Sequence, residues 1–203
     1  MPAKLLVNLV NRKNSISKFS RYIGCKVAEQ GADRSFRRFR RFLAGGVLDV
    51  GVGVGSMAKI LGDHGYLVTG IDIVDSSVYP EVIPLVYDGS RMPFRSKSHD
   101  NALLICVLHH CTDQLGVLTE TMRVAKRLIL IEDTFRNSIE KALVSARDCL
   151  GNFEFYDHHY RTTEEWVKII RAKDWQVVHK EEWSSFTWYG MYGRQTLLVA
   201  EPN

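Results

Sequence analysis

The apolar positions of the chain change rhythm near residue 45. Before it, in DRSFRRFRRFLAGG, Phe36, Phe39, Phe42 and Leu43 recur at helical spacing with arginines between them, which predicts one apolar and one charged face. Asp33 or Ser35 is suited to cap the start of that helix, and Gly45 with Gly46 ends it. Breaks near NRKNS and EQGAD divide residues 1–44 into two or three short helices, an N-terminal extension packed on the rest of the chain. Beyond it, continuous apolar runs alternate with amphipathic ones. GGVLDVG reads as a buried strand, SMAKILGDHG as a helix ending at Gly65, and YLVTGIDIV and VIPLVYDG as two further strands. DNALLICVL is a fourth strand, QLGVLTETMRVAK a helix and RLILIEDTF a fifth strand. TTEEWVKIIRAKD is a helix capped by Thr162 or Thr163, with Trp166, Ile169 and Ile170 on one side. WQVVHKEEW and RQTLLVAE then form two strands.

Apolar strands separated by helical crossovers imply a mostly parallel sheet covered on both faces, a doubly wound α/β fold of seven strands. The link between the last two strands, SSFTWYGMYG, is too short for a crossover, so the last strand is antiparallel. The chain thereby divides in two: residues 1–44 are a basic helical extension and residues 45–203 one α/β domain.

Composition adds limits rather than a function. At 203 residues, with 45% hydrophobic and 25% charged residues, the chain has enough material for one substantial core. Cys25, Cys106, Cys111 and Cys149 show neither CxxC pairing nor zinc spacing, so neither a disulfide framework nor a metal site is expected. MPAKLLVNLV carries no cleavage pattern, and no apolar run approaches membrane-spanning length, which points to a cytoplasmic protein. Charge changes the picture more. Residues 1–45 hold eleven Lys/Arg against Glu29 and Asp33, while the remainder is net acidic. Such asymmetry marks either a solvated helical face or a contact with RNA or an anionic membrane.

The candidate chemistry begins at VLDVGVGVGSMAKIL, residues 47–61. A strand, a glycine loop, a helix and then an acidic residue at the end of the next strand form the layout that binds an adenosine cofactor at a sheet edge. A dinucleotide fingerprint would require glycine at position 56, where Ser56 stands, and no phosphate loop of the G-x-x-x-x-G-K type is present. What remains is D-x-G-x-G-x-G from Asp49 to Gly55. With GIDIVD and YDGSRMPFRSKSHDNALLICVLHH coming after it in order, residues 45–133 resemble the class I S-adenosylmethionine-dependent methyltransferases, and more weakly so to residue 200. The chain is similar to the small methyltransferases of quinone and small-molecule metabolism.

The resemblance implies a Rossmann-like methyltransferase fold and S-adenosyl-L-methionine as cofactor. It implies that Asp49 and the glycine loop of Gly51, Val52, Gly53 and Gly55 hold the methionine end. Asp72 would grip the ribose and Ile73 pack on the adenine. Asp88 with Gly89 would meet the adenine amino edge, and the backbone of Cys106 and Val107 would face the cofactor's amino group.

Methyl transfer from a sulfonium is an in-line displacement, so positioning and exclusion of water come first, and a base is required only for a protonated acceptor. Candidates for a chemical role stand where parallel strands end: His109 and His110 after the fourth, Glu132 and Asp133 after the fifth. YDHHY adds Tyr156, His158, His159 and Tyr160 as base candidates or substrate wall. The hairpin loop places Phe186, Trp188, Tyr189 and Tyr192 at the same edge, where they would favour a flat, apolar or extended acceptor. The leading expectation is an enzyme methylating a small or medium-sized organic molecule at O, N or C. RNA methylation through the arginine-rich helix, a membrane-associated lipid or quinone methyltransferase, and a non-catalytic cofactor-binding regulator are the alternatives; oligomeric state is left open.

Overall fold

The computed structural model describes residues 18–152, 159–186 and 191–203. The first helix, α1, runs unbroken from Lys18 to Phe39 and tightens into a 3-10 turn over Arg40–Phe42. The expected break at EQGAD is therefore absent, and Asp33 and Ser35 lie inside the helix rather than at its start. Asp33 instead pairs with Arg37 one turn on, at 2.8 Å, as Lys26 does with Glu29 at 2.7 Å. Gly31 weakens an isolated helix by ~1 kcal/mol. Here tertiary packing overrides it, because Phe36 and Phe39 are buried in the core. The N-terminal helix thus contributes to the core it packs on.

The strands are β1 Val47–Val50, β2 Val68–Asp72, β3 Leu85–Val86, β4 His99–Ile105, β5 Ala125–Asp133, β6 Trp175–Phe186 and β7 Tyr192–Pro202. They form one sheet in the order β3-β2-β1-β4-β5-β7-β6. β1 to β5 are parallel, and β7 runs antiparallel between β5 and β6. The chain-reversing tail strand fits because β6 and β7 are joined by a hairpin. β3 is shorter than VIPLVYDG suggested: only Leu85 and Val86 pair, opposite Ile71 and Asp72, between Pro84 and the Asp88–Gly89 turn.

The remaining helices are α2 Ser56–Asp63, α3 Gln114–Val124, α4 Ser138–Asn152 and α5 Thr163–Arg171. α5 starts at a complete capping box: Thr162 Oγ1 accepts from Glu165 N at 3.2 Å, and the Glu165 carboxylate accepts from Thr162 N at 2.7 Å. α4 is an element that the apolar pattern did not suggest.

Two apolar layers enclose the sheet. Leu48, Val50, Leu104, Leu128 and Leu130 pack with Leu118, Met122, Trp166 and Ile170 of α3 and α5. Val47, Leu103, Ile129 and Ile131 pack on the other face with Phe36 and Phe39 of α1 and Met57 and Leu61 of α2. Residues one apart on a strand alternate between these layers, as the pleat requires. Among the described residues no helix is long and apolar enough to cross a membrane. The sheet's consequence for function is its carboxyl edge, where β1, β2, β3, β4 and β5 all end together.

Candidate active site

At that edge β1 opens into the glycine loop. Gly51, Gly53 and Gly55 all have positive φ, at 79°, 54° and 89°. Two of them do different work. A β-carbon at Gly51 would lie 2.5 Å from Val107 Cγ2, so the absence of a side chain lets the β4 turn close over the loop. A β-carbon at Gly53 would meet nothing within 4 Å, so the α-carbon of this residue borders open space. Val52 between them is buried.

Asp49 lies on β1 just before the loop and is 3% exposed. Its Oδ2 has no hydrogen-bond partner. Burial, with the Asp72 carboxylate adding repulsion, pushes its carboxyl up to about 7. Asp72, at the end of β2, accepts from Gly53 N at 2.8 Å and from Ile73 N at 2.6 Å, tying the second strand to the glycine loop. Ile73 is 55% exposed, an apolar side chain left open at the edge, and it stands beside Gly89. Asp88 accepts from the Ser90 backbone N–H at 2.9 Å and hydroxyl at 2.7 Å. These bonds hold its carboxyl below the usual range, with the Ser90 hydroxyl the largest cause.

β4 ends abruptly because Cys106 adopts φ 54°, a left-handed conformation rare for a residue with a side chain. Its N–H donates to Ile131 O at 2.7 Å, and Gln195 Nε2 approaches its Sγ at 3.3 Å. The chain then turns through Val107 into a short 3-10 helix, Leu108–His110. Glu132 on β5 holds this turn. Its Oε1 accepts from Val107 N at 2.9 Å and Leu108 N at 2.7 Å, while Oε2 is 2.5 Å from His109 Nδ1. His109 is buried, with its ring 4.1 Å from that of half-buried His110 and stacked on buried Tyr160 at 5.3 Å.

Asp133, one residue beyond Glu132, points to the opposite face. It forms a buried ion pair with Arg147 of α4. Its carboxylate is thereby committed to the fold. Tyr192 donates to Glu140 at 3.1 Å and packs edge-on against Phe186 at 5.8 Å. Glu140 also pairs with Arg136, and the guanidinium beside it lowers its carboxyl to about 2. His159 is exposed, with its backbone N–H 3.4 Å from His109 O and its carbonyl accepting from Gln114 at 2.6 Å.

The structure thus gathers Asp49, the glycine loop, Asp72, Val107, His109, His110, Tyr160 and His159 at one edge, and sets Asp133 and Tyr192 against α4. Tyr156, His158, Trp188 and Tyr189 lie outside the described residues. The sequence reading missed what Glu132 does. The signal was present: in RLILIED it shares a face with Leu128 and Leu130, so a buried carboxylate there had to find donors. Arg38 of the basic segment pairs with Glu181 and stacks on Trp183 at 4.1 Å, whereas Arg34 and Arg40 are exposed.

With this geometry in view, the family model described as a methyltransferase domain matches residues 48–128, from β1 into β5. No curated protein matches the chain at a significant level. Solved structures do resemble it. A SAM-dependent methyltransferase from Methanosarcina mazei is 20% identical with TM-score 0.63, over 81% of this chain and 96% of its own. A possible histamine N-methyltransferase from Thermotoga maritima is 15% identical with TM-score 0.69, over 92% and 95%. Magnesium protoporphyrin IX methyltransferase from Synechocystis PCC 6803, solved with SAH bound, is 18% identical with TM-score 0.64, over 95% and 91%. At these identities the structural likeness is one of fold, and the family match supplies the sequence link. The domain match over the glycine loop and the edge strands, on a sheet of this order, gives residues 48–128 the sequence pattern of a methyltransferase domain and the chain a fold similar to that of S-adenosylmethionine-dependent methyltransferases.

Proposed function

We propose that the protein transfers a methyl group to a small or medium-sized organic acceptor, with the donor held by the glycine loop and the carboxylates at the ends of β1 and β2. The observation that carries this reading is the buried, unpartnered Oδ2 of Asp49. An isolated buried carboxylate is costly, and a ligand ammonium would offset that cost. The amino-acid end of S-adenosylmethionine carries one. Gly53 offers a backbone that a ligand can approach closely, and Asp72, whose oxygens already meet two N–H groups, retains lone pairs for ribose hydroxyls. Ile73 would pack on the adenine, Asp88 and Gly89 would border its amino edge, and the backbone of Cys106 and Val107 would close the donor's amino end. The residues present therefore fit the cofactor.

S-adenosylmethionine supplies an electrophilic methyl group on a sulfonium centre. The chain's task is to align an acceptor with it and exclude water. Tyr160, stacked on His109, supports an apolar wall, and exposed Phe186, packed edge-on against Tyr192, adds aromatic surface where β6 ends. Among the described residues, His110 and His159 are the imidazoles placed to take a proton from an acceptor hydroxyl or amine; His109 is committed to Glu132. The reading favours a small molecule over RNA in that Arg38 of the basic segment is held by Glu181 and Trp183 rather than left for phosphates.

Titration with S-adenosylhomocysteine by calorimetry tests the donor half, and absence of binding refutes it. A methyl-transfer screen with labelled donor against phenols, amines, extended quinone-like acceptors and total RNA tests the acceptor half. Labelling of RNA alone would replace the small-molecule reading.

A further inference from the structure

Glu132 is among the most completely enclosed charged groups of the edge: its side chain is 1% exposed and that of His109 2%. Burying a carboxylate requires donors for its oxygens. Here one oxygen takes two successive backbone N–H groups, Val107 and Leu108, and the other takes an imidazole. All three donors belong to the single turn after β4.

That turn begins with a strained residue. The left-handed backbone of Cys106 persists only where its surroundings over-determine it. Ile131 O and Gln195 hold Cys106 itself, and Glu132 holds the two amides after it. The strain has a geometric result: it swings Val107 over Gly51, close enough that no β-carbon fits beneath it. The strand end, the strained residue, the turn and the glycine loop are therefore linked, with Glu132 as the fixed point on β5.

We infer that Glu132 is a positioning residue for methyl transfer, which sets donor affinity by holding the Cys106–Leu108 backbone over the glycine loop and keeps the His109 proton on Nδ1. The inference rests on the reading of the glycine loop and of Cys106–Val107 as walls of the donor site. Glu132 touches neither donor nor acceptor; it acts through Val107, Leu108 and His109. The tautomer is set by the bond: an ionised carboxylate only accepts, so Nδ1 must carry the hydrogen. His109 in turn stacks on Tyr160, which carries the same constraint toward the acceptor side.

Glu132→Gln and Glu132→Ala separate these roles. The glutamine carbonyl still accepts from Val107 and Leu108, but its amide faces His109 Nδ1 and donates, which drives the imidazole hydrogen to Nε2. The Gln variant should bind S-adenosylhomocysteine within about threefold of the parent while the 15N shifts of the His109 ring switch tautomer. The Ala variant leaves two buried N–H groups without an acceptor, and its donor-product Kd should rise by about tenfold or more at temperatures well below its Tm. Glu132→Asp, one methylene short of spanning all three donors, should fall between them and serves where the Ala variant does not fold. A merely structural role would lower Tm and leave the Kd of folded protein unchanged. Binding within about twofold for folded Ala or Asp variants, or an unchanged His109 tautomer in the Gln variant, overturns the inference. Failure of the parent protein to bind S-adenosylhomocysteine would instead overturn the donor-site reading beneath it.

Discussion

Asp49→Asn should make the ligand-free protein more stable at neutral pH and a weaker donor binder. Burial raises the Asp49 carboxyl from 3.8 to about 7. The ionised native state is therefore disfavoured by about 4 kcal/mol relative to the unfolded chain above pH 7. The native state binds more protons than the unfolded state between pH 4 and 7, so stability conferred by the protonated carboxyl is lost as pH rises through that window. Asparagine does not titrate. Between pH 5 and pH 8 the variant should gain about 2–3 kcal/mol on the parent, which for a domain of this size is a Tm difference widening by about 5–10 °C. Thermal unfolding of both proteins across that range reads it directly. A Tm difference that stays flat from pH 5 to pH 8 refutes the buried-carboxylate argument.

The same residue links binding to pH. A donor ammonium beside Asp49 favours its ionised form, so donor binding should release a proton. Affinity should fall below pH 7 by up to about tenfold per pH unit. Calorimetry in buffers of different ionisation enthalpy measures the release; uptake, or no exchange at pH 6.5, contradicts the assignment of Asp49 to the donor's amino end.

Three further expectations separate fold from function. Gly51→Ala should destabilise the protein by about 2 kcal/mol or more, because both its backbone and Val107 must shift; Gly53→Ala should cost only about 1–2 kcal/mol of backbone strain yet weaken donor-product binding at least tenfold, since its new methyl enters open space on the ligand side. Parallel Tm and calorimetric measurements distinguish the pair, and full affinity in Gly53→Ala removes that loop position from the site. Arg147→Ala strips the cation from buried Asp133 and should destabilise by about 3–5 kcal/mol in denaturant unfolding, whereas Thr162→Ala, which opens the α5 capping box, should lose about 1 kcal/mol and leave methyl transfer unchanged.

What was legible in the chain was local. The glycine loop announces itself because positive φ selects glycine at Gly51, Gly53 and Gly55. The strands announce themselves as apolar runs, and α5 through Thr162 and Glu165. α4 could have been found the same way: Asn137 Oδ1 accepts from Glu140 N at 2.9 Å and Glu140 reaches back to Arg136 N at 2.8 Å, an N-x-x-E start written in NSIE. Its apolar stripe, broken by Lys141, Arg147 and Asp148, concealed it. EQGAD misled in the other direction, since the break that Gly31 invites is overruled by Phe36 and Phe39, whose burial depends on strands far along the chain. That Glu132 needed donors could be read from its face of β5, but which donors, and Arg147 as the counter-ion of Asp133, could not, because these partners meet only after the chain has folded.

These partnerships also set Asp49 apart from its neighbours. Four carboxylates stand at the ends of β1, β2 and β5. Asp72 meets the Gly53 and Ile73 amides, Glu132 meets two amides and an imidazole, and Asp133 meets a guanidinium. Strand alternation distributes the last two to opposite faces, so that one fixes the turn after β4 and the other anchors α4. Asp49 alone among these is buried with a carboxylate as the charge acting on it and no cation beside it. The fold supplies donors or a cation to the other three and leaves Asp49 Oδ2 without a partner, which is the observation behind the proposal that a cation from outside sits there. The ammonium of the methyl donor has the charge and the site chemistry to be that cation, and the pH dependence of Asp49 is where this assignment is most exposed to measurement.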